Sequence, residues 1–228
     1  QPLPPVAVRL GTTRGTNALL TRRGASTAFV TTRGFADVLR IGYQNRPKLF
    51  ELTICKPPPL FEHVAEIDER ISAQGDVLTP LDESPARSAL TTLREQGATS
   101  LAVCLLNAYA NPAHERRLAA LAAELGFADV SVSHEVSPLV KIVPRGDTTV
   151  VDAYLTPVLR DYLLGLAKGL GPQAELRLLT SAGGLVSPAH FTGKDSILSG
   201  PAGGVVGYSR VAQAAGFPRA IGFDMGGT

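Results

Sequence analysis

The chain has 228 residues, 44% of them hydrophobic and 18% charged, with a formal net charge of +2. That is enough apolar side chain for one folded core or two small ones. A near-neutral charge, with no Lys/Arg run longer than a pair, removes the electrostatic case for nucleic acid, and no apolar stretch approaches a membrane span.

The opening Gln-Pro-Leu-Pro-Pro reads as a linker or a cut end, without the features of a secretory leader. A short apolar strand over 6–10 precedes Gly11-Thr12-Thr13-Arg14-Gly15-Thr16-Asn17, and a helix over 18–24 follows, closed by Gly24. Hydroxyls and exposed N–H groups at such a junction either cap the helix or hold an anion or polar ligand, which makes Thr12, Thr13 and Asn17 candidate substrate contacts. Residues 26–32 alternate as a buried strand, Gly34 breaks it, and 35–41 predict a short helix. A polar turn over 42–47 carries an aromatic and an arginine, and Pro57-Pro58-Pro59 stiffens the loop beyond it.

Residues 64–71 and 76–81 read as a hairpin joined by Ser72-Ala73-Gln74-Gly75, with Glu62, Glu66, Asp68 and Glu69 as its solvated edge. Three βα-like units follow. Ser84-Pro85 opens a helix with Ala86, Ala89, Leu90 and Leu93 on one face, ended by Gly97. Residues 100–106 form a strand buried on both faces. Asn111-Pro112 starts a helix whose Leu118, Leu121, Ala122 and Leu125 share a face, and 130–133 is the next strand.

Residues 136–145 are irregular in pattern. Arg145 sits in a Pro-Arg-Gly turn as either a substrate or phosphate contact or a surface arginine. A long amphipathic helix runs from 151 to 166, where Pro157 implies a kink or a late start. A strand over 176–180 ends in Ser181-Ala182-Gly183-Gly184, small enough for close approach of a ligand. Ser199-Gly200-Pro201-Ala202-Gly203-Gly204 opens a helix running to 216. Gly203 and Gly207 share a face, and either close packing or a phosphate at the helix start explains tolerating them. Last, 220–223 reads as a buried strand entering Asp224-Met225-Gly226-Gly227-Thr228, which is either an ordinary Gly-Gly hairpin or a phosphate loop. In the second case Asp224 would meet Mg²⁺ or its water, and Thr228 a phosphate oxygen.

Cys104 falls inside the 100–106 strand and Cys55 in a Pro-flanked loop, so a disulfide is not expected and a reducing compartment suits the chain. His63, His114, His134 and His190 lack metal-ligand spacing and read as surface or loop residues. Alternating strands and helices give an α/β fold with mostly parallel strands, made mixed by the 64–81 hairpin.

Together these motifs resemble the hydantoinase A/5-oxoprolinase family. The matching residues are Arg9-Leu10-Gly11-Thr12-Thr13 with Thr16-Asn17-Ala18-Leu19-Leu20, Thr32-Arg33-Gly34-Phe35, and Val64-Ala65-Glu66-Ile67-Asp68-Glu69-Arg70. Ile142-Val143-Pro144-Arg145-Gly146 with Asp152-Ala153-Tyr154-Leu155-Thr156-Pro157 follow, then residues 198–207 and 221–228. The Ser-Gly-Pro-Ala-Gly-Gly block followed by Asp-Met-Gly-Gly-Thr is the most specific part.

The resemblance implies an actin-like, ribonuclease-H-like ATPase fold: a first lobe with a mixed sheet flanked by helices, truncated before the second lobe. It implies a linker or cut end over 1–8, a first lobe over 9–198 lacking its own phosphate hairpin, and the start of the second lobe over 199–228. The implied activity is ATP-dependent opening of 5-oxo-L-proline to L-glutamate, with a hydantoin hydrolase or an ATP-dependent carboxylase subunit as the alternative. From a different class, the segment would be an inactive structural or docking piece. The implied cofactors are ATP and Mg²⁺, with Asp224 as the catalytic and metal residue and Gly200, Ala202, Gly203, Gly204, Gly226, Gly227 and Thr228 around the nucleotide. The implied partners are a small cyclic amide, the remainder of a parent chain or a hydantoinase B-type subunit, and further copies of itself, in the cytoplasm without nucleic acid or membrane.

Overall fold

The computed structural model describes residues 6–43, 45–171 and 173–225. In chain order its elements are β1 (Val6–Leu10), α1 (Arg14–Leu20), β2 (Thr27–Thr32), α2 (Val38–Ile41), β3 (His63–Ile67), β4 (Arg70–Ile71), β5 (Val77–Thr79) and α3 (Glu83–Glu95). There follow β6 (Ser100–Cys104), α4 (Ala113–Glu124), β7 (Asp129–Val132), α5 (Ser133–Val136), α6 (Ile142–Leu170), β8 (Ala174–Leu179), β9 (Leu185–Val186) and α7 (Ser199–Ala214). The chain divides into two compact units, residues 25–154 and residues 1–24 with 155–228.

The 25–154 unit is built on a four-stranded parallel sheet in the order β3-β2-β6-β7. Every residue of β2 and β6 is buried, as their unbroken apolar runs require when both faces of a parallel sheet are covered. Side-chain alternation then sorts the core. Ala28, Val30, Leu101 and Val103 pack with Leu90 and Leu93 of α3 and with Leu118 and Leu121 of α4. Phe29, Ala102 and Cys104 point the other way, with Phe61, Val150 and Ala153. The rings of Phe29 and Phe61 stack at 5.3 Å. Both covering helices start on local signals: Asp82 Oδ1 accepts from the Ser84 N–H at 3.1 Å, and Asn111 Oδ1 from that of Ala113 at 3.1 Å.

The other unit carries a mixed sheet in the order β1-β8-β9, in which β8 is parallel to β1 and antiparallel to β9. The mixed character expected of the fold therefore arises here. Only the start of the 64–81 segment joins the main sheet. Its first arm breaks at Asp68-Glu69, leaving β3 in the parallel sheet and only β4 and β5 as a separate antiparallel pair.

Three further expectations change. The first helix begins at Arg14, four residues early, because Thr12 Oγ1 accepts from the Arg14 N–H at 3.1 Å and closes the turn there. The stretch before residue 151 is helical from Ile142, and Pro157 lies inside a single 29-residue helix. Residues 220–225 form no strand, and Ile221 (98% exposed) and Phe223 (89%) face solvent. An apolar run becomes a buried strand only where a neighbour completes the ladder, and none of the described strands pairs with it.

Candidate functional site

In the unit formed by residues 1–24 and 155–228, the β1–α1 loop meets the start of α7. The Ser199 hydroxyl donates to the Leu179 carbonyl at 2.5 Å and accepts from the Thr12 N–H at 3.1 Å. Ser181 Oγ accepts from the Leu198 N–H at 2.9 Å, so the Ser181–Gly184 turn also holds the entry to α7. Two glycines make this close fit possible. A Cβ on Gly11 would stand 2.8 Å from the Ser199 carbonyl oxygen, and one on Gly200 only 2.6 Å from Thr13 Cγ2. At Gly11 the glycine is required by backbone meeting backbone, and at Gly200 by the Thr13 methyl.

Further along α7 the situation reverses. A Cβ on Gly203 would make only ordinary contact, with Leu179 and Gly11, and one on Gly207 would meet nothing within 4 Å. The close packing expected of Gly203 and Gly207 thus belongs to Gly11 and Gly200 instead. At Gly204 the nearest atom to such a Cβ is Asp224 Oδ2, at 4.0 Å. The predicted residues Thr12, Thr13, Gly200, Ala202, Gly203, Gly204 and Asp224 are therefore gathered around the first turns of one helix. Gly226, Gly227 and Thr228 lie outside the described residues. Asn17 sits on α1 with its side-chain oxygen buried and unpartnered.

This arrangement suits the implied cofactors. A 16-residue helix whose first N–H groups lack intrahelical acceptors favours a phosphate at its start. Mg²⁺ keeps most of its waters and takes one or two carboxylates besides phosphate oxygens, so the single exposed carboxylate of Asp224 is an adequate protein ligand.

Arg145 lies in the 25–154 unit and is fully buried, not a surface residue. Its Nη2 donates to the Leu105 carbonyl at 2.9 Å and its guanidinium lies 5.6 Å from the centre of the Tyr109 ring, while Nε and Nη1 have no hydrogen-bond partner among the described residues. It stands at the carboxyl end of β6, beside the point where the sheet connections diverge, β2 leading to β3 on one side and β6 to β7 on the other. Crevices at such a point are the usual ligand sites of parallel sheets.

The same sheet end holds a buried polar constellation that composition and spacing did not reveal. Glu69, read as part of a solvated edge, is 3% exposed; it accepts from Thr32 Oγ1, and its Oε2 lies 2.7 Å from His114 Nδ1. Glu66 stays exposed, as expected of that edge, and accepts from the Gly34 and Ala36 N–H groups at 2.8 and 3.0 Å. Glu115 is fully buried and accepts from the Leu105 and His134 N–H groups, from Ser133 Oγ at 2.6 Å and from His134 Nδ1 at 2.7 Å. His114, expected at the surface, is thus buried against a carboxylate, and His134 is half-buried with only its Nδ1 hydrogen-bonded to one. The signal was present in helix phase: Glu115, Leu118 and Ala122 recur at i, i+3, i+7, on the apolar face of α4. Cys104 is buried between these groups as expected for a strand thiol, and burial pushes its thiol up to about 12.

Comparison with known proteins agrees with this architecture. Residues 5–126 match the family described as hydantoinase/oxoprolinase N-terminal region, and residues 145–228 match hydantoinase/oxoprolinase. The chain is 42% identical to 5-oxoprolinase of Saccharomyces cerevisiae over 97% of its own length and 20% of that protein. It superposes with a TM-score of 0.79 and 25% identity on nucleotide-free acetone carboxylase, from a study of ATP-dependent acetone carboxylation, covering 91% of this chain and 32% of that one. It superposes with a TM-score of 0.78 and 33% identity on the ATP-dependent caprolactamase of Pseudomonas jessenii, covering 96% and 33%. The chain therefore spans about one fifth of the curated relative and one third of the solved chains. The α/β architecture, the glycine-rich start of α7 and these two consecutive matches agree: the chain belongs to the hydantoinase/oxoprolinase family.

Proposed function

We propose that this chain is the phosphate-facing part of an ATP-dependent cyclic amide hydrolase that opens 5-oxo-L-proline to L-glutamate. The observation that carries the reading is the Asp224 carboxylate beside Gly204 on the first turns of α7. Residues 9–198 are then first-lobe material and 199–228 the start of the second lobe, completed by the rest of a longer chain or by a hydantoinase B-type partner. In the same reading the enzyme is cytoplasmic and homo-oligomeric.

A five-membered lactam is unstrained, and its hydrolysis is poorly driven alone. ATP, when bound, would transfer its γ-phosphoryl group to the amide oxygen and leave as ADP, making the carbonyl carbon a better electrophile for water, whose attack opens the ring and releases phosphate. The protein's part is position and charge. Asp224 holds Mg²⁺ or its water shell. The N–H groups at the start of α7 would face the phosphates, a role also assigned to Gly226, Gly227 and Thr228. Gly200 and Ala202 to Gly204 keep the wall free of side chains. Asp224→Asn in the full-length enzyme is expected to abolish ATP hydrolysis; undiminished turnover would remove the assignment. The likeness to acetone carboxylase supports a second reading, an ATP-dependent carboxylase subunit. Comparing stimulation of ATP hydrolysis by 5-oxo-L-proline, hydantoin and a ketone separates the two.

A further inference from the structure

Within the 25–154 unit the structure holds a cavity of about 880 Å³. That is within the roughly 300–1,000 Å³ range of small-molecule clefts. Its back wall is one face of α6, on which Val143, Asp147, Val150 and Val151 follow helical spacing, and its floor includes the buried ring of Phe61. Its flanks are the end of α2, the 42–47 loop and the Pro57-Pro58-Pro59 strap. Lys56 fastens that strap, donating to the carbonyls of Arg40 and Ile41 at 3.1 and 2.7 Å, so its charge is spent on the end of α2.

The polar groups inside are few and unspent. Arg40, Arg46 and Asp147 line the cavity, and none of the three side chains has an ion-pair or hydrogen-bond partner among the described residues. Two guanidinium groups and one carboxyl, with the polar ends of Tyr43 and Asn45, form a net-cationic pocket against apolar walls. Guanidinium recognises a carboxylate through paired N–H donors, and the apolar walls suit a compact ring. The Asp147 carboxyl is pushed up from the usual aspartate range by desolvation, the mark of a group whose water shell the cavity wall has partly displaced.

We propose that this cavity is a binding site for a small ring bearing a carboxylate, with Arg46 and Arg40 taking the carboxylate and Asp147 accepting from a ring N–H. A cyclic amide acid such as 5-oxo-L-proline has this chemistry, so the choice of ligand rests on the function proposed above. The site itself rests on the cavity alone. It assigns substrate recognition to the 40–47 and 56–61 segments, where no sequence motif pointed.

The test uses the full-length enzyme, with calorimetric binding and steady-state kinetics side by side. Wild type is expected to bind 5-oxo-L-proline at least tenfold more tightly than 2-pyrrolidinone, the same ring without its carboxylate. Arg46→Ala should weaken 5-oxo-L-proline at least tenfold in Kd and KM while leaving 2-pyrrolidinone within twofold, and Arg46→Lys should recover part of the loss. Arg116→Ala, an exposed arginine on α4, should change nothing. Arg46 is exposed, so the variant is expected to fold. The inference is overturned if Arg46→Ala leaves both constants within twofold, if wild type does not bind 5-oxo-L-proline, or if inorganic phosphate displaces it at equal concentration. Arg46-dependent binding without turnover would instead remove the activity and keep the site; turnover with an Arg46-independent KM would do the reverse.

Discussion

Replacing Glu115 with glutamine changes one atom and should cost far more than its size suggests. The carboxylate accepts four hydrogen bonds in full burial: Oε1 from the Leu105 N–H and Ser133 Oγ, Oε2 from the His134 N–H and His134 Nδ1. A glutamine must turn its NH₂ toward one of these pairs, and each contains a backbone N–H that cannot reverse its role. On the Oε1 side the serine hydroxyl can rotate to accept, so the better orientation leaves the Leu105 N–H facing a donor. An orphaned buried donor costs about 1–3 kcal/mol, and loss of charge assistance in the remaining bonds adds about 1 kcal/mol. The expected loss is about 2–4 kcal/mol for Glu115→Gln. Glu115→Ala should lose about 4 kcal/mol or more, because all four donors are stranded beside a cavity. Urea unfolding with linear extrapolation measures both. A glutamine variant within about 0.5 kcal/mol of wild type would refute the accounting, since an ordinary surface substitution lies in that range.

The desolvated Asp147 carboxyl gives stability a definite pH slope. The native state keeps its proton to a higher pH than the unfolded chain, so above the ordinary aspartate range stability falls with rising pH until the native group has ionised. Asp147→Asn should flatten that limb and be the more stable protein at neutral pH; parallel profiles for the two would contradict the cause given. The glycines of α7 divide in a measurable way. Gly207→Ala has open space around its Cβ and should gain up to about 1 kcal/mol from helix propensity. Gly200→Ala drives a methyl into Thr13 and should lose about 1–3 kcal/mol, and thermal melts giving the opposite order would sink the packing explanation.

What could be read ahead of the coordinates followed the strength of local signals. The buried strands β2 and β6, the capped starts of α3 and α4 and the core residues Leu90, Leu118 and Leu121 were all visible as period and punctuation. The failures have physical reasons. Glu69, His114 and His134 read as surface residues because charge predicts exposure until a partner is known, and their partners are distant in sequence. Arg145 was ambiguous because its irregular flank is the first turn of α6, whose first six residues run Ile-Val-Pro-Arg-Gly-Asp without an apolar stripe. The 64–71 strand was broken by Glu69 leaving its expected face for Thr32. Residues 220–223 read as a buried strand from composition alone, and no described strand pairs with them. Around α7, the close packing expected of Gly203 and Gly207 falls on Gly11 and Gly200, which only the backbone path of the β1–α1 loop decides. The cavity beside Arg46 had no motif to announce it, being assembled from a loop, a proline strap and one helix face.

The parallel pairing of Val6 with Ala174 has a temporal meaning. A ribosome exposes Val6–Leu10 early, yet its partner strand is not synthesised until the entire 25–154 segment has emerged. That segment contains all four strands of its own sheet and can condense while translation continues. β1 must meanwhile wait for β8, with that side of its ladder open to any passing edge. The charged Arg9 among its apolar neighbours is the kind of residue that makes such a delay tolerable.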